Sequence, residues 1–293
     1  MTGSAWAAPL PDRSVVSVSG PERVNFLQGL VTNDVRQLAP DRALYAGLLT
    51  AQGKLLYDFF LVEDGTQILI DVAAAQAGDL RKRLTLYKLR AAVEITETPF
   101  KVAALWGADA AARLTLDPPE GAASPIAEAH YAFVDPRLAA LGARLLYAAV
   151  APLAARGFQS ADAADYAAHR LALGIADSAE ISGEICYPLE ANFETLHGVD
   201  FKKGCYVGQE LTARMKHKGG LRKRVLPVTG ASPLPASGTP VTADGKELGS
   251  LLAAAGPNGL ALLRLDRLAE AQTGALRADD VPLSVHWPRW LPR

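Results

Sequence analysis

The chain has 293 residues, 49% of them hydrophobic and 21% charged, with a formal net charge of −1; this is ordinary for a folded soluble protein but too long for one core, so two or three domains are expected. Its two cysteines, Cys186 and Cys205, exclude a disulfide framework and lack the Cys-x-x-Cys spacing of a self-contained zinc or iron–sulfur site. The N-terminus lacks the basic start and apolar core of a signal peptide, and no apolar run is long enough to span a bilayer, so a cytoplasmic protein with reduced thiols and no membrane partner is expected.

Val15 to Val18 alternates with serine and predicts a short strand. Gly20-Pro21-Glu22 opens a helix, proline suiting its first turn, with Val24, Leu27 and Val31 on one face. Thr32-Asn33-Asp34 ends it; these side chains either cap the backbone or face a pocket. Leu44–Thr50 and Leu55–Val62 flank the hairpin-type connection Ala51-Gln52-Gly53-Lys54, and Asp64-Gly65 turns the chain into Ile68–Asp71. Three short strands with tight turns predict an antiparallel meander. Asp58 lies inside the second. Buried, it needs a partner or a ligand; on a solvent-facing side it needs neither.

Ala73–Arg90 has helical spacing at Leu80, Leu84 and Tyr87, with Arg81-Lys82-Arg83 on the polar face. Val93–Thr96, Lys101–Trp106, Tyr131–Val134 and Arg144–Val150 predict strands, Ala108–Leu114 a short helix and Asp117–Gly121 a loop. β-meanders alternating with single helices predict α+β layers rather than a doubly wound parallel sheet. No Gly-x-Gly-x-x-Gly and no phosphate-loop lysine motif supports nucleotide binding. Ser160–Gly174 is the clearest helix, with Ser160 as its cap and Gly174 as its stop. Residues 175–197 read mostly as loop, of a length that often carries function. Beyond Arg224, short strands at Val225–Val228, Thr239–Thr242, Glu247–Ala254, Leu260–Leu265 and Val281–Val285 predict a small β-barrel. The expected division is an α+β region at 1–224 followed by the barrel at 225–293.

Chemistry concentrates at Lys202-Lys203-Gly204-Cys205-Tyr206-Val207-Gly208-Gln209-Glu210. Gly204 and Gly208 allow sharp bends or close backbone approach, and Gln209 onward reads as a helix with an acid in its first turn. Cys205 would then precede a helix N-terminus, a setting that favours a thiolate; the other reading is a small buried hydrophobe. Cys186, in Glu-Ile-Cys-Tyr-Pro, has no such setting and reads as structural. Between Lys202 and Arg224 stand eight Lys/Arg against one acid, a segment of +7 in a chain whose remainder is −8. That suggests an anionic ligand or partner, or a solvated charged face. The five histidines are scattered and no catalytic triad assembles.

The run from Lys203 to Glu210 resembles the signature of the YgfZ-type proteins, relatives of the glycine-cleavage T-protein, and the continuation Leu211-Thr212-Ala213-Arg214 is most similar to their mitochondrial-type branch. Phe26 to Asp34, Gln52-Gly53-Lys54 through Asp58, Arg170 through Ile175, and Pro188 to Phe193 extend the resemblance over nearly the whole chain. It implies a multi-domain fold like the T-protein's, with an antiparallel-sheet folate-binding region and a C-terminal barrel. It implies tetrahydrofolate or a derivative as cofactor, no stably bound metal, and work on four-iron four-sulfur proteins as an assembly or repair factor. Cys205 would be the reactive thiol, with Lys203, Gly204, Tyr206, Gly208, Gln209 and Glu210 forming its loop. Asp58, Tyr45, Arg170, Glu190 and Arg214 would line the folate pocket. Partners implied are iron–sulfur client or assembly proteins, with tRNA contact also entertained and a monomer expected. An aminomethyl transferase is the competing activity. T-proteins carry adjacent acids where this chain has Tyr57-Asp58, which weakens that alternative.

Overall fold

Successive residues of a strand face opposite sides of a sheet. Here Phe59 and Leu61 join one buried cluster while Phe60 and Val62 join another. An apolar run that faces two cores belongs to an inner strand covered on both sides, and that fixes the layer order.

The computed structural model describes residues 4–116, 119–148, 153–218, 220–271 and 276–293. Residues 117 and 118 of the expected loop and 149 and 150 of the expected strand lie outside them. The chain opens with β1 (Ala5–Pro9), β2 (Arg13–Ser19), α1 (Arg23–Gln28), β3 (Leu44–Leu49), β4 (Leu55–Glu63) and β5 (Gln67–Ala73). It continues through α2 (Ala74–Lys88), β6 (Glu94–Glu97), β7 (Lys101–Gly107), α3 (Ala110–Arg113), β8 (Ala123–Ala127), β9 (His130–Val134) and β10 (Ala143–Tyr147). Then come β11 (Gln159–Ser160), α4 (Ala163–Ala172), α5 (Ser178–Ile181) and α6 (Gln209–Lys218). The last stretch is β12 (Lys223–Gly230), β13 (Pro240–Ala243), β14 (Lys246–Ala255), β15 (Asn258–Arg264), α7 (Leu265–Glu270), β16 (Leu276–Ala278) and β17 (Val281–Val285).

Two sheets and a barrel result. One sheet runs β3-β4-β5-β2-β6 and the other β11-β1-β7-β10-β9-β8; β12-β15-β14-β13-β16-β17 close on themselves. The expected meander is β3-β4-β5, antiparallel throughout. The main core lies between the sheets, where Tyr45, Phe60 and Leu69 meet Val102, Trp106, Phe133 and Leu146. The first sheet's outer face carries α1 and α2 through Leu27, Leu80 and Leu84. Ala110 and Leu114 cover the outer face of the second. This is the α+β layering predicted.

The barrel is tied to the rest by named contacts. Val225 N donates to Glu190 O (2.9 Å), Asn192 Nδ2 to Val225 O (3.0 Å) and Trp290 Nε1 to Leu173 O (2.8 Å). Three sequence expectations need correction. Ser160 ends a strand, and the cap of α4 is Asp162, whose side chain accepts from Asp165 N in a reciprocal capping box. The expected loop at 175–197 contains α5, capped the same way by Asp177. Strands β1, β8 and β16 were not legible: β1 and β8 are rich in alanine and proline, and β16 is only three residues long.

Candidate functional site

Lys202 to Glu210 is held at both ends. Lys203 Nζ donates to the carbonyl oxygens of Gln28 (2.9 Å), Val31 (2.5 Å) and Asn33 (2.8 Å). These lie at and just beyond the C-terminus of α1, where a helix leaves unpaired carbonyls and a negative dipole end. Burial lowers the Lys203 ammonium to about 8, against the pull of Asp34 and Asp200. The same ammonium sits 5.0 Å from the centre of the Tyr206 ring. Burial pushes the Tyr206 hydroxyl up to about 12, so it stays a phenol. Tyr206 N donates to Gln209 Oε1 (3.2 Å), which ties the loop to the first turn of α6.

Gly208 fixes the other end. Its φ is +77°, and a β-carbon there would lie 2.3 Å from Thr50 O and 2.9 Å from Leu49 Cβ. The start of α6 is therefore pressed onto the β3–β4 turn, where a β-carbon on Gly53 would stand 3.1 Å from Gly208 O. Between these two fixtures Cys205 is exposed, as are Gly204 and Glu210. Of the two readings of Cys205, the buried hydrophobe is excluded. Cys186 is buried in the central core; burial, with Glu190 adding, pushes its thiol up to about 12.

Thr32 and Asn33 clamp the segment that leads into this loop. Thr32 Oγ1 donates to Gly198 O (2.6 Å), and Asp200 N donates to Thr32 O (3.1 Å). Asn33 Nδ2 donates to Tyr45 O and His197 O, both at 2.7 Å. Asp34 caps the short 3-10 helix Val35–Gln37. The turn therefore does both things the sequence left open, because Asn33 also lines a cavity.

That cavity has a volume of about 650 Å³ and lies where the β3 edge meets the turn before β8. Tyr45, Phe201 and Val199 supply apolar wall, and Arg42 and Lys202 supply positive charge. Its acids are already partnered: Asp200 accepts from Gln37 Nε2 and Lys202 N, Glu120 accepts from Ala139 N, and Glu194 pairs with Lys216. Arg42 and Lys202 make no ion pair among the described residues. The wall offers a ligand apolar contact and two cations, beside Glu120 and Asp200, which keep their charge because their donors are neutral N–H groups. Phe201 and Lys202 end three residues short of Cys205, so cavity wall and thiol loop are one stretch of chain.

Of the five residues expected to line a pocket, Tyr45 lines this cavity and the other four lie outside it. Asp58 is buried behind it, accepting from Tyr45 Oη (3.0 Å) and Ser182 Oγ (2.5 Å). Burial first, and then Asp58, raise the Tyr45 hydroxyl well above its ordinary value, so Tyr45 remains the donor. Arg170 is buried and bidentate to Glu180, with a third bond to Ile175 O. Glu190 accepts from Tyr187 N (3.0 Å) and its backbone holds the barrel. Arg214 is exposed and pairs weakly with Glu210 at 3.4 Å. Sequence shows a charge inside an apolar context but not which partner satisfies it. Arg42, Glu194, His197, Phe201 and Lys202 were missed. The signal for the last two was their position directly before the signature.

Residues 222–293 match the family model described as CAF17, C-terminal beta-barrel domain. The human protein named iron-sulfur cluster assembly factor IBA57, mitochondrial, is 34% identical over 99% of this chain and 86% of its own length. The chain belongs to the IBA57 family. The mouse IBA57 is 36% identical over 91% of this chain and 80% of its own. Among solved structures, the aminomethyltransferase T of the glycine cleavage system from Bartonella henselae superposes with a TM-score of 0.79 over 98% of this chain and 86% of that one. At 16% identity it shows the fold alone. The T-protein-like fold, and the mitochondrial-type branch within it, are as the resemblance implied. The cytoplasmic expectation is overturned: the IBA57 relatives are named mitochondrial, which points to the mitochondrion instead. Reduced cysteines and a missing spanning helix do not separate two compartments that both keep thiols reduced.

Proposed function

We propose that the protein assists assembly or repair of four-iron four-sulfur proteins, with Cys205 as its working thiol and tetrahydrofolate in the adjoining cavity. One observation carries the thiol's part in this reading. Lys203, Tyr206, Gly208 and Gln209 are committed to holding the loop, while Cys205 is presented to solvent. A thiol on a fixed loop can be offered to a partner without ordering cost at the moment of contact. Cys186 is buried, so Cys205 would supply a single ligand to a cluster in transit, the rest coming from donor or recipient.

The cavity residues fit a folate. About 650 Å³ lies within the range of small-molecule sites. Phe201 and Val199 would give a pterin apolar contact, and Arg42 and Lys202 would hold the carboxylates of the glutamate tail. The folate would supply a one-carbon carrier or a structural ligand; the chain's own part is to bind it and to keep the loop stem in place. Aminomethyl transfer is less well supported, because each Asp58 oxygen already accepts a buried hydroxyl.

The decisive experiment is Cys205→Ser in cells that depend on this protein. The activity of four-iron four-sulfur enzymes should fall, while calorimetry gives tetrahydrofolate affinity within a few-fold of wild type. Normal enzyme activity would remove the thiol from the mechanism. Separately, Arg42→Ala should weaken tetrahydrofolate binding by about 1 kcal/mol, and unchanged affinity would move the folate elsewhere.

A further inference from the structure

The C-terminal end of α2 carries a surface that nothing in the described fold covers. Leu86 and Leu89 are 77% and 88% exposed, and Tyr87 is 37% exposed. Leu80 and Leu84, one turn earlier, are buried against the sheet, so α2 changes from a packed helix to an unpacked one within two turns. Leu89 adopts φ 47°, ψ −106°, a backbone conformation that leucine rarely takes. Its side chain lies in solvent, so no packing contact offsets that strain.

Cations surround these apolar side chains. From Leu80 to Ala92 there are five, Arg81, Lys82, Arg83, Lys88 and Arg90, and no acid. Arg81 pairs with Glu97 at 3.3 Å and Lys82 with Asp79 at 3.2 Å, both exposed and therefore weak. Arg83 sits beside the hydroxyls of Tyr57 and Tyr87. Lys88 and Arg90 make no ion pair among the described residues.

We propose that this end of α2 is a peripheral contact with an anionic bilayer. Leu86 and Leu89 would enter the acyl boundary, Tyr87 would lie at headgroup depth, and Lys88 and Arg90 would meet lipid phosphates. Shape favours lipid over a protein partner. The leucines project from a helix end, 77% and 88% exposed, with cations on either side of them. A protein interface needs matched packing at its centre, whereas a bilayer accepts a convex apolar tip ringed by cations. No helix of the described residues is long and apolar enough to cross a membrane, and this contact needs none. Two leucines and a few cations give weak, reversible attachment.

Flotation of the full chain tests this, using vesicles of phosphatidylglycerol and phosphatidylcholine in equal parts against vesicles of phosphatidylcholine alone. Wild type should float with the anionic vesicles at low salt and not with the neutral ones. The double variant Leu86→Asp/Leu89→Asp, and separately Lys88→Glu/Arg90→Glu, should float at least roughly tenfold less. Both should melt like wild type, since the replaced side chains are exposed or at the surface rim. Absence of wild-type flotation, equal flotation on neutral vesicles, or unchanged flotation of the leucine variant would each overturn the proposal. So would capture of a protein by this patch without any vesicle binding.

Discussion

The two cysteines show how environment assigns opposite roles to one side chain. Cys205 stands exposed between two fixed points, and Cys186 is enclosed by the central core with its thiol pushed up to about 12. A thiol at that value is almost wholly protonated at neutral pH and is shielded from reagents as well. Iodoacetamide should therefore add one label to the native protein, on Cys205, and two after denaturation. Intact-mass spectrometry with peptide mapping reads this directly, and label on native Cys186 would show that the core opens. Local sequence could not separate the two completely. It placed Cys205 before a helix and Cys186 in a loop, but exposure depends on what folds over each. Lys203 illustrates the same limit. Sequence shows a lysine two residues before a cysteine, within a basic segment. The structure aims that lysine away, into three carbonyls past the end of α1.

At the scale of elements, the signature is a joint between the β3–β4 turn, the end of α1 and the start of α6. Its two glycines do different work. Gly208 has φ +77° and no room for a β-carbon, whereas a β-carbon on Gly204 meets nothing within 4 Å. Gly208→Ala should destabilise the protein by about 1–3 kcal/mol in urea unfolding and slacken the loop, while Gly204→Ala should stay within about 0.5 kcal/mol. Equal effects would mean that the turn is not pressed onto the loop. Elements with strong periodicity were legible: the meander β3-β4-β5 and the longer strands of the barrel. Each has an apolar pattern that only one secondary structure can bury. The cap of α4 was misplaced by two residues, because Ser160 and Asp162 are both good caps and only tertiary pairing of Ser160 with β1 removes it from contention.

At the scale of the molecule, the two sheets are joined by buried charge. Arg144 donates to Asp71 (3.0 Å) and Asp135 (3.4 Å), Arg13 to Asp71 (2.7 Å), and Arg137 is bidentate to Asp135. The Arg144 guanidinium lies 4.1 Å from the Phe60 ring centre, in the middle of the apolar core. Removing Arg144 takes one of two cationic partners from both Asp71 and Asp135 where no water reaches them. Arg144→Met should cost about 3–5 kcal/mol, measured by urea unfolding. Acid should act on the same network. Burial alone would raise the Asp177 carboxyl, but Arg13 and then Arg170 hold it well below the usual range; Arg137 does the same for Asp135. A depressed folded-state value gives stabilisation that is complete above the unfolded carboxylate value of about 4 and is lost as pH falls below it. The melting temperature should therefore drop from about pH 4 downward, and Asp177→Asn should flatten that slope. An unchanged slope would locate the acid sensitivity elsewhere.

The sequence by itself determined the layered α+β class, the barrel, and the stretch on which the site is built. These follow from local periodicity and from a run of residues contiguous in the chain. Only the tertiary structure decided which charges face a ligand. Asp58, Arg170 and Glu190 looked available because sequence shows no partner, and the fold supplies one for each: Tyr45 and the remote Ser182, Glu180 of the next helix, and the backbone of nearby Tyr187. Arg42 looked ordinary and lines the cavity, and Lys202 of the basic segment lines it as well. Burial and pairing are properties of distance in space, and distance in space is what a linear pattern does not carry.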